Sequence, residues 1–309
     1  MTVDTRTAVL LDPAVERRAP RRRRIDWGSL CYVAPALLVF VIFVAVPIGI
    51  SLQYSFYDYN GLTVGRPVGL DNYVSVFTDP ELRSALGHAL LLVVFYSLIP
   101  VAIGLVLAGL MSRIKVFALP LFRALLFLPQ VLATVVIAIA WRKMYGLEGP
   151  LNSVLSFFGL GSLTTDWLGN YTTALPAIGL VGTWFESGLC MVLFLSGIAL
   201  IDNSVYEAAS LDGAGPVRSF FAITVPALRP QISIALILTI TFALRNFDIV
   251  WNTTRGGPGS TTTVPSLFVY LDAFQNRNLG QASSLAVVMT LATVTVVGTV
   301  RWLLRDKDA

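Results

Sequence analysis

Six stretches of this 309-residue chain are apolar for about as long as a membrane is thick, and no soluble fold has a use for so many. A hydrocarbon core of about 30 Å takes roughly 20 helical residues to cross. Stretches 30–55, 89–111, 119–141, 173–200 and 284–302 reach that length outright. A further one, between the last two of these, is free of charge only between Arg229 and Arg245 and must run on through Asp248 to span. With 55% hydrophobic and 13% charged residues, the chain has too little polar material to coat a water-soluble globule. It reads as an all-α, polytopic membrane bundle of about six transmembrane helices.

Loop charge sets the orientation, because Lys and Arg near the ends of spans are retained on the cytoplasmic side. With both termini inside, fifteen of the 22 Lys and Arg fall in the cytoplasm; the other side keeps Arg66, Arg83, Arg142, Lys143, Arg245, Arg255 and Arg277. Residues 1–29 then form an Arg-rich cytoplasmic tail ahead of an uncleaved signal anchor, and 30–309 form a transmembrane domain. A net charge of +4 gathered at the ends and in short loops is what this topology produces, so nucleic acid is excluded as a partner. Arg123 sits near one end of the third span, from which a long side chain snorkels to the headgroups. Cys31 and Cys190 lie in apolar stretches and His88 is the only histidine, so no metal site is expected.

Between the fourth and fifth spans lies a polar, turn-punctuated loop, 203–226, on the cytoplasmic side. Ser204 through Glu207 reads as a capping box, with Ser204 as N-cap and Glu207 reaching back to its amide. The helix it starts runs out near Asp212. Gly213 supplies the positive φ of a helix C-terminus, and Pro216 suits the first turn of a second helix that closes before Pro226. Ala208, Ala209, Gly213 and Ala214 present little bulk, so a partner can approach the backbone, while Tyr206, Leu211 and Phe220 offer apolar anchors. Two uses for Glu207 stand side by side: a cap, and a docking contact.

The run Glu207-Ala208-Ala209, then Asp212-Gly213-Ala214, then Pro226 resembles the EAA loop of permease subunits of ATP-binding-cassette (ABC) importers. Gly69-Leu70-Asp71-Asn72-Tyr73, Thr254-Arg255-Gly256-Gly257-Pro258 and Tyr270 with Ala273-Phe274 are similar to segments of the carbohydrate-uptake branch, whose permeases work as two different chains. The resemblance covers about residue 30 to the C-terminus. It implies a multi-pass subunit of a bacterial or archaeal cytoplasmic membrane that catalyses no reaction. Its implied partners are a second permease, an ABC ATPase dimer seated on the 203–226 loop, an extracytoplasmic solute-binding protein and the lipid bilayer. The chain carries no phosphate-binding P-loop, so ATP and Mg belong to the ATPase. The alternative is a self-sufficient secondary transporter or channel.

A charge in a span costs about 3 kcal/mol or more facing lipid, and so faces the interior or a wet path. Glu186, Arg245, Asn246, Asp248 and Asn252 are therefore the candidate pathway residues. For Glu186 the competing reading is a buried hydrogen-bond partner to a neighbouring helix; for Arg245 and Asp248, three apart on one helical face, it is mutual neutralisation. Gly256, Gly257 and Pro258 form a turn that either is only a turn or shapes the outer mouth where a binding protein docks. Gly69 to Tyr73 reads equally as an interfacial anchor with Tyr73 at headgroup depth.

Overall fold

The computed structural model describes residues 27–113 and 119–304; the Arg-rich segment up to residue 26 and the loop containing Lys115 lie outside them. The chain divides into two units, Met1–Ile48 and Gly49–Ala309. The first holds the beginning of helix α1 (Tyr32–Tyr54), where Tyr32 and Phe43 are 90% and 73% exposed, a surface suited to lipid tails.

In the second unit, β1 (Tyr57–Asp58) pairs antiparallel with β2 (Arg66–Pro67), followed by α2 (Asp71–Thr78) and the long α3 (Pro80–Ser112). Then come α4 (Leu119–Val131), α5 (Thr134–Met144), α6 (Pro150–Phe157) and the 25-residue α7 (Ala174–Ile198). The 203–226 loop forms α8 (Asn203–Leu211) and α9 (Pro216–Ala227). The chain closes with α10 (Arg229–Leu244), α11 (Asp248–Thr253), α12 (Pro265–Tyr270) and α13 (Leu279–Leu303).

Four of these helices, α1, α3, α7 and α13, are long and apolar enough to cross a membrane unbroken among the described residues. The third and fifth spans depart from the sequence reading. The third is α4 and α5, bent by 102°, because Ala133 between them is extended (ψ 135°) and Pro129 denies α4 a backbone donor. The fifth does not continue as helix through Asp248: α10 stops at Leu244, and the chain restarts as α11 after an unwound Arg245-Asn246-Phe247. At its other end α9 meets α10 at 69°.

Helix α7 is the post around which the rest assembles, and its glycines are the notches. The Tyr96 ring lies where a Cβ on Gly182 would be, and the Phe95 ring occupies the same space at Gly179. Gly188 admits the α4 backbone at Leu126, and Gly104 of α3 admits the α7 backbone at Cys190. Small residues let membrane helices approach until dispersion contacts are dense, which is the driving force left when lipid is as apolar as the core. A widened turn at Val94–Leu98 in α3 accompanies a hydrogen bond from the Thr183 hydroxyl to the Phe95 carbonyl, 2.6 Å away.

Tyr96, fully buried, joins three elements. Its hydroxyl donates to the Ile178 carbonyl (3.3 Å) and accepts from Asn246 Nδ2 (2.9 Å), while the Asn246 carbonyl accepts from Ser266 Oγ at 2.5 Å. In a bilayer an unwound backbone survives only where protein groups satisfy it; at the break after α10 Ser266 does so for the Asn246 carbonyl, while Tyr96 holds the Asn246 side chain. Ser97 and Thr239, 2.6 Å apart, tie α3 to α10 below it.

Gly69 to Tyr73 forms a clasp. Asn72 Nδ2 donates to the carbonyls of Ser55 and Tyr57, each at 3.0 Å, and the Tyr73 hydroxyl meets Ser55 Oγ at 2.6 Å. Gly280, at the start of α13, lies against the Tyr57 carbonyl and donates its amide to Tyr59. The motif thus binds the chain leaving α1 to the first turn of α13.

Gly182→Val should misplace the Tyr96 ring and destabilise the bundle by about 1–3 kcal/mol, the usual cost of overpacking a tight contact. Gly298→Ala, where a Cβ meets nothing within 4 Å, should be neutral or slightly stabilising. Unfolding of the purified protein in mixed detergent micelles separates the two.

Candidate coupling loop and transit groove

The helix of the 203–226 loop begins two residues earlier than its sequence suggests. Asp202, not Ser204, is the N-cap: its carboxylate accepts from the Ser204 amide at 2.9 Å, and this bond holds the group below the usual carboxylate range. The capping box is therefore corrected. Both residues are good caps, and the one nearer the end of α7 takes the role.

The other end agrees with the sequence. Gly213 has φ +76°, its amide donates to the Ser210 carbonyl (3.1 Å), and the Ala214 amide reaches back to Ala209 (2.9 Å). These two bonds are the paired closure of a Schellman turn, and the positive φ is what Gly supplies there. Asp212 is the C-cap residue, and Pro216 opens α9 behind Gly215. That helix does not close before Pro226: it passes through a widened turn at Phe220–Thr224 and runs to Ala227.

The expected anchors divide. Tyr206 turns inward, its hydroxyl 2.8 Å from Thr224 Oγ1, and Phe220 packs onto Gly109 of α3. Leu211 stays outside at 90% exposure, joined by Val205 and Val217, which the sequence did not single out. Glu207 and Ala208 are exposed, and Ala209 is half-buried beside Ala214. Freed from capping, the Glu207 carboxylate is open to a partner.

Among the pathway candidates, Glu186 and Asn246 are buried at 3% and 4% exposure, so neither faces an open path in this conformation. Glu186 lies on the α4 side of α7, with Gln130 Nε2 3.5 Å from its Oε2 and 2.9 Å from the Phe185 carbonyl. Asn252 back-bonds to the Asp248 carbonyl at 2.8 Å. Arg245 and Asp248 do not neutralise each other among the described residues. The unwound turn points them apart: Asp248 accepts from Thr134 Oγ1, 3.1 Å away at the start of α5, while Arg245 opens into a groove of about 500 Å³ between α10, α12 and α13. Each charge also complements a helix terminus, Arg245 at the C-terminal end of α10 and Asp248 at the first turn of α11.

At the end of the bundle away from the 203–226 loop, Gly256 (φ +93°), Gly257 and Pro258 form a trussed turn. The Gly256 carbonyl accepts from the Thr262 amide (3.1 Å) and Thr263 Oγ1 (3.2 Å), and that of Gly257 from Thr262 Oγ1 (2.8 Å). His88 Nδ1 lies 2.8 Å from the Thr263 carbonyl, tying α3 to this turn. Gly257 and Pro258 border an open cleft of about 370 Å³ with Arg142, Tyr145 and Asp166. Tyr96, Gln130, Thr134 and His88 were not legible as site residues, since each acts through a partner more than fifty positions away.

The family model described as "Binding-protein-dependent transport system inner membrane component" matches residues 100–305. The chain is 36% identical to the probable ABC transporter permease protein YurN of Bacillus subtilis, over 86% of this chain and 91% of that one. It is 33% identical to the diacetylchitobiose uptake system permease protein NgcF of Streptomyces coelicolor, covering 93% and 85%. With the sulfoquinovosyl glycerol transport system permease protein SmoG of Agrobacterium fabrum the identity is 32%, covering 98% and 99%. The fold matches a chain of a bacterial ABC transporter involved in the import of the acidic polysaccharide alginate, at a TM-score of 0.78 and 22% identity over 92% of this chain and 97% of that one.

Asp202→Ala should fray the start of α8 and speed amide exchange at Ser204, whereas Ser204→Ala should leave that exchange slow. Because the Asp202 group is held below its usual range, the cap is intact above the ordinary carboxylate pKa and is lost as the pH falls through the lowered one. Exchange measured from neutral to acidic pH checks both.

Proposed function

We infer the role of this chain from one premise: it belongs to the family of binding-protein-dependent transport system inner membrane components. It is a membrane-spanning permease subunit of an ABC importer, a transport subunit of a multi-pass inner-membrane assembly. In our reading it forms part of the path for a sugar, polyol or related organophosphate, in line with relatives named for saccharide uptake. It works with a second, different permease, an ATPase dimer that holds ATP and Mg, and an extracytoplasmic binding protein. This chain holds no nucleotide and catalyses no reaction; both termini are cytoplasmic.

The observation that carries the coupling role is the division of the 203–226 loop into two faces. Tyr206 and Phe220 fasten it to the bundle, while Leu211, Val217 and Glu207 stand clear. A loop whose inner face is fixed transmits displacement, because a push on Leu211 reaches α3 through Phe220 and Gly109 without slack. The neighbouring Ala208 and Gly213 let an ATPase surface approach the backbone. Arg245, Asp248 and Asn252 belong to the path, with Glu186 and Asn246 setting its walls from within. The Gly256-Gly257-Pro258 turn meets the binding protein.

Leu211→Asp and Gly213→Asp should leave the protein inserted, weaken ATPase association at least tenfold and abolish ATP-driven uptake in proteoliposomes. Uptake without any ATPase would instead support a self-sufficient carrier. A tag after Ala309 should be reachable only from the cytoplasm, and labelling from outside intact cells would overturn the orientation.

A further inference from the structure

We propose that the groove at Arg245 receives an oxyanion on the transiting solute, so that the importer's cargo is an acidic saccharide or polyol bearing a carboxylate, sulfonate or phosphate. This deepens the reading of the chain as an importer permease and rests on it.

Depth carries the first step. Arg245 follows the 16-residue α10, about 24 Å along the span from Arg229, and the groove's far wall holds Met289, Thr290 and Thr293, at the middle of the 25-residue α13. With about 24 Å of a core of about 30 Å behind it, the guanidinium lies toward the outer end of the span, where a solute enters. It lines the groove, so an anionic partner can reach it there. The chain itself supplies none among the described residues: Asp248 is engaged by Thr134, and Glu186 is buried against Gln130 on the far side of α7.

The lining carries the second step, because donors and acceptors there are unequally shared. Thr241, Thr290, Thr293 and Ser266 each spend their hydroxyl proton on a backbone carbonyl, at 2.5 to 2.8 Å. What remains on those oxygens is lone pairs, which accept from the hydroxyls of a polyol. The guanidinium is the strong donor of the groove, and its planar fork fits a carboxylate, sulfonate or phosphate with two parallel bonds. About 500 Å³ is within the range of small-molecule sites.

The test uses the assembled transporter in nanodiscs, with Cys31→Ser, the buried Cys190 left in place, and Thr290→Cys as a reporter in the groove wall. Its thiol is reacted with anionic sulfonatoethyl and cationic trimethylammonioethyl methanethiosulfonate. We expect the anionic-to-cationic rate ratio to fall about tenfold on Arg245→Gln, as a focused charge in a cleft produces, and to be kept by Arg245→Lys. Sodium glucuronate should slow labelling where glucose at the same concentration and sodium chloride do not.

An unmoved ratio, or equal protection by glucose, overturns the proposal. Protection by phosphatidylglycerol in place of glucuronate assigns the groove to lipid, and loss of the second permease on Arg245→Gln assigns the charge to an inter-subunit pair; either also overturns it. These readings need no ATP-driven transport, so they stand apart from the outcome at Leu211 and Gly213.

Discussion

The hydrogen bond from Asn246 to the buried Tyr96 hydroxyl is the contact on which the rest of the bundle depends. A membrane leaves no water to satisfy an unwound backbone, and this chain unwinds its fifth span at Arg245-Asn246-Phe247. The Tyr96 ring reaches that break by filling the notch at Gly182, and Ser266 completes the arrangement from α12. Without Gly182 the ring has no seat, and without the ring the Asn246 side chain loses its buried partner. Once the break is secured, its two charges diverge, Asp248 toward α5 and Arg245 into the groove. A continuous helix would have kept them on one face.

The same economy appears at the other end of α7. The loop after it is held by Tyr206 on Thr224 and Phe220 on Gly109, so that its outer surface is a stiff extension of the bundle. Between loop and break run the contacts of α7, α3 and α10, including the Ser97 and Thr239 pair. Dense packing of this kind moves as a unit rather than deforming continuously. On the coupling role we propose, a displacement at Leu211 would be delivered to the groove and to the trussed turn at Gly256 rather than absorbed on the way.

What was legible in the sequence was local or statistical. Span number, the small outward face of the 203–226 loop, the positive φ at Gly213 and the restart at Pro216 follow from composition and from neighbours a few residues apart. The fold, an all-α bundle, was among these. The misread features have physical causes too. Asp202 and Ser204 are both competent caps, and sequence alone cannot tell which carbonyl the first turn will use. Arg245 and Asp248 are three apart, so a helical reading pairs them; no Gly or Pro announces the break that separates them. The clasp at Asn72 went unread because its acceptors, the Ser55 and Tyr57 carbonyls, are backbone atoms invisible to side-chain patterning. Glu186 drew attention as a charge in a span, and its companion Gln130 lies on a different helix.

The central claim is that the loop at Leu211 and the far mouth at Gly256 are mechanically joined through α7 and the Tyr96 hub. It is tested most directly by the distance between spin labels on Ser210 and Ser260 in the assembled transporter in nanodiscs, measured by pulsed electron resonance. ATP with Mg should shift this distance distribution in the native hub, and Asn246→Leu, once checked to insert and to bind the ATPase, should remove the shift. A distribution that responds to nucleotide equally in both proteins would contradict it.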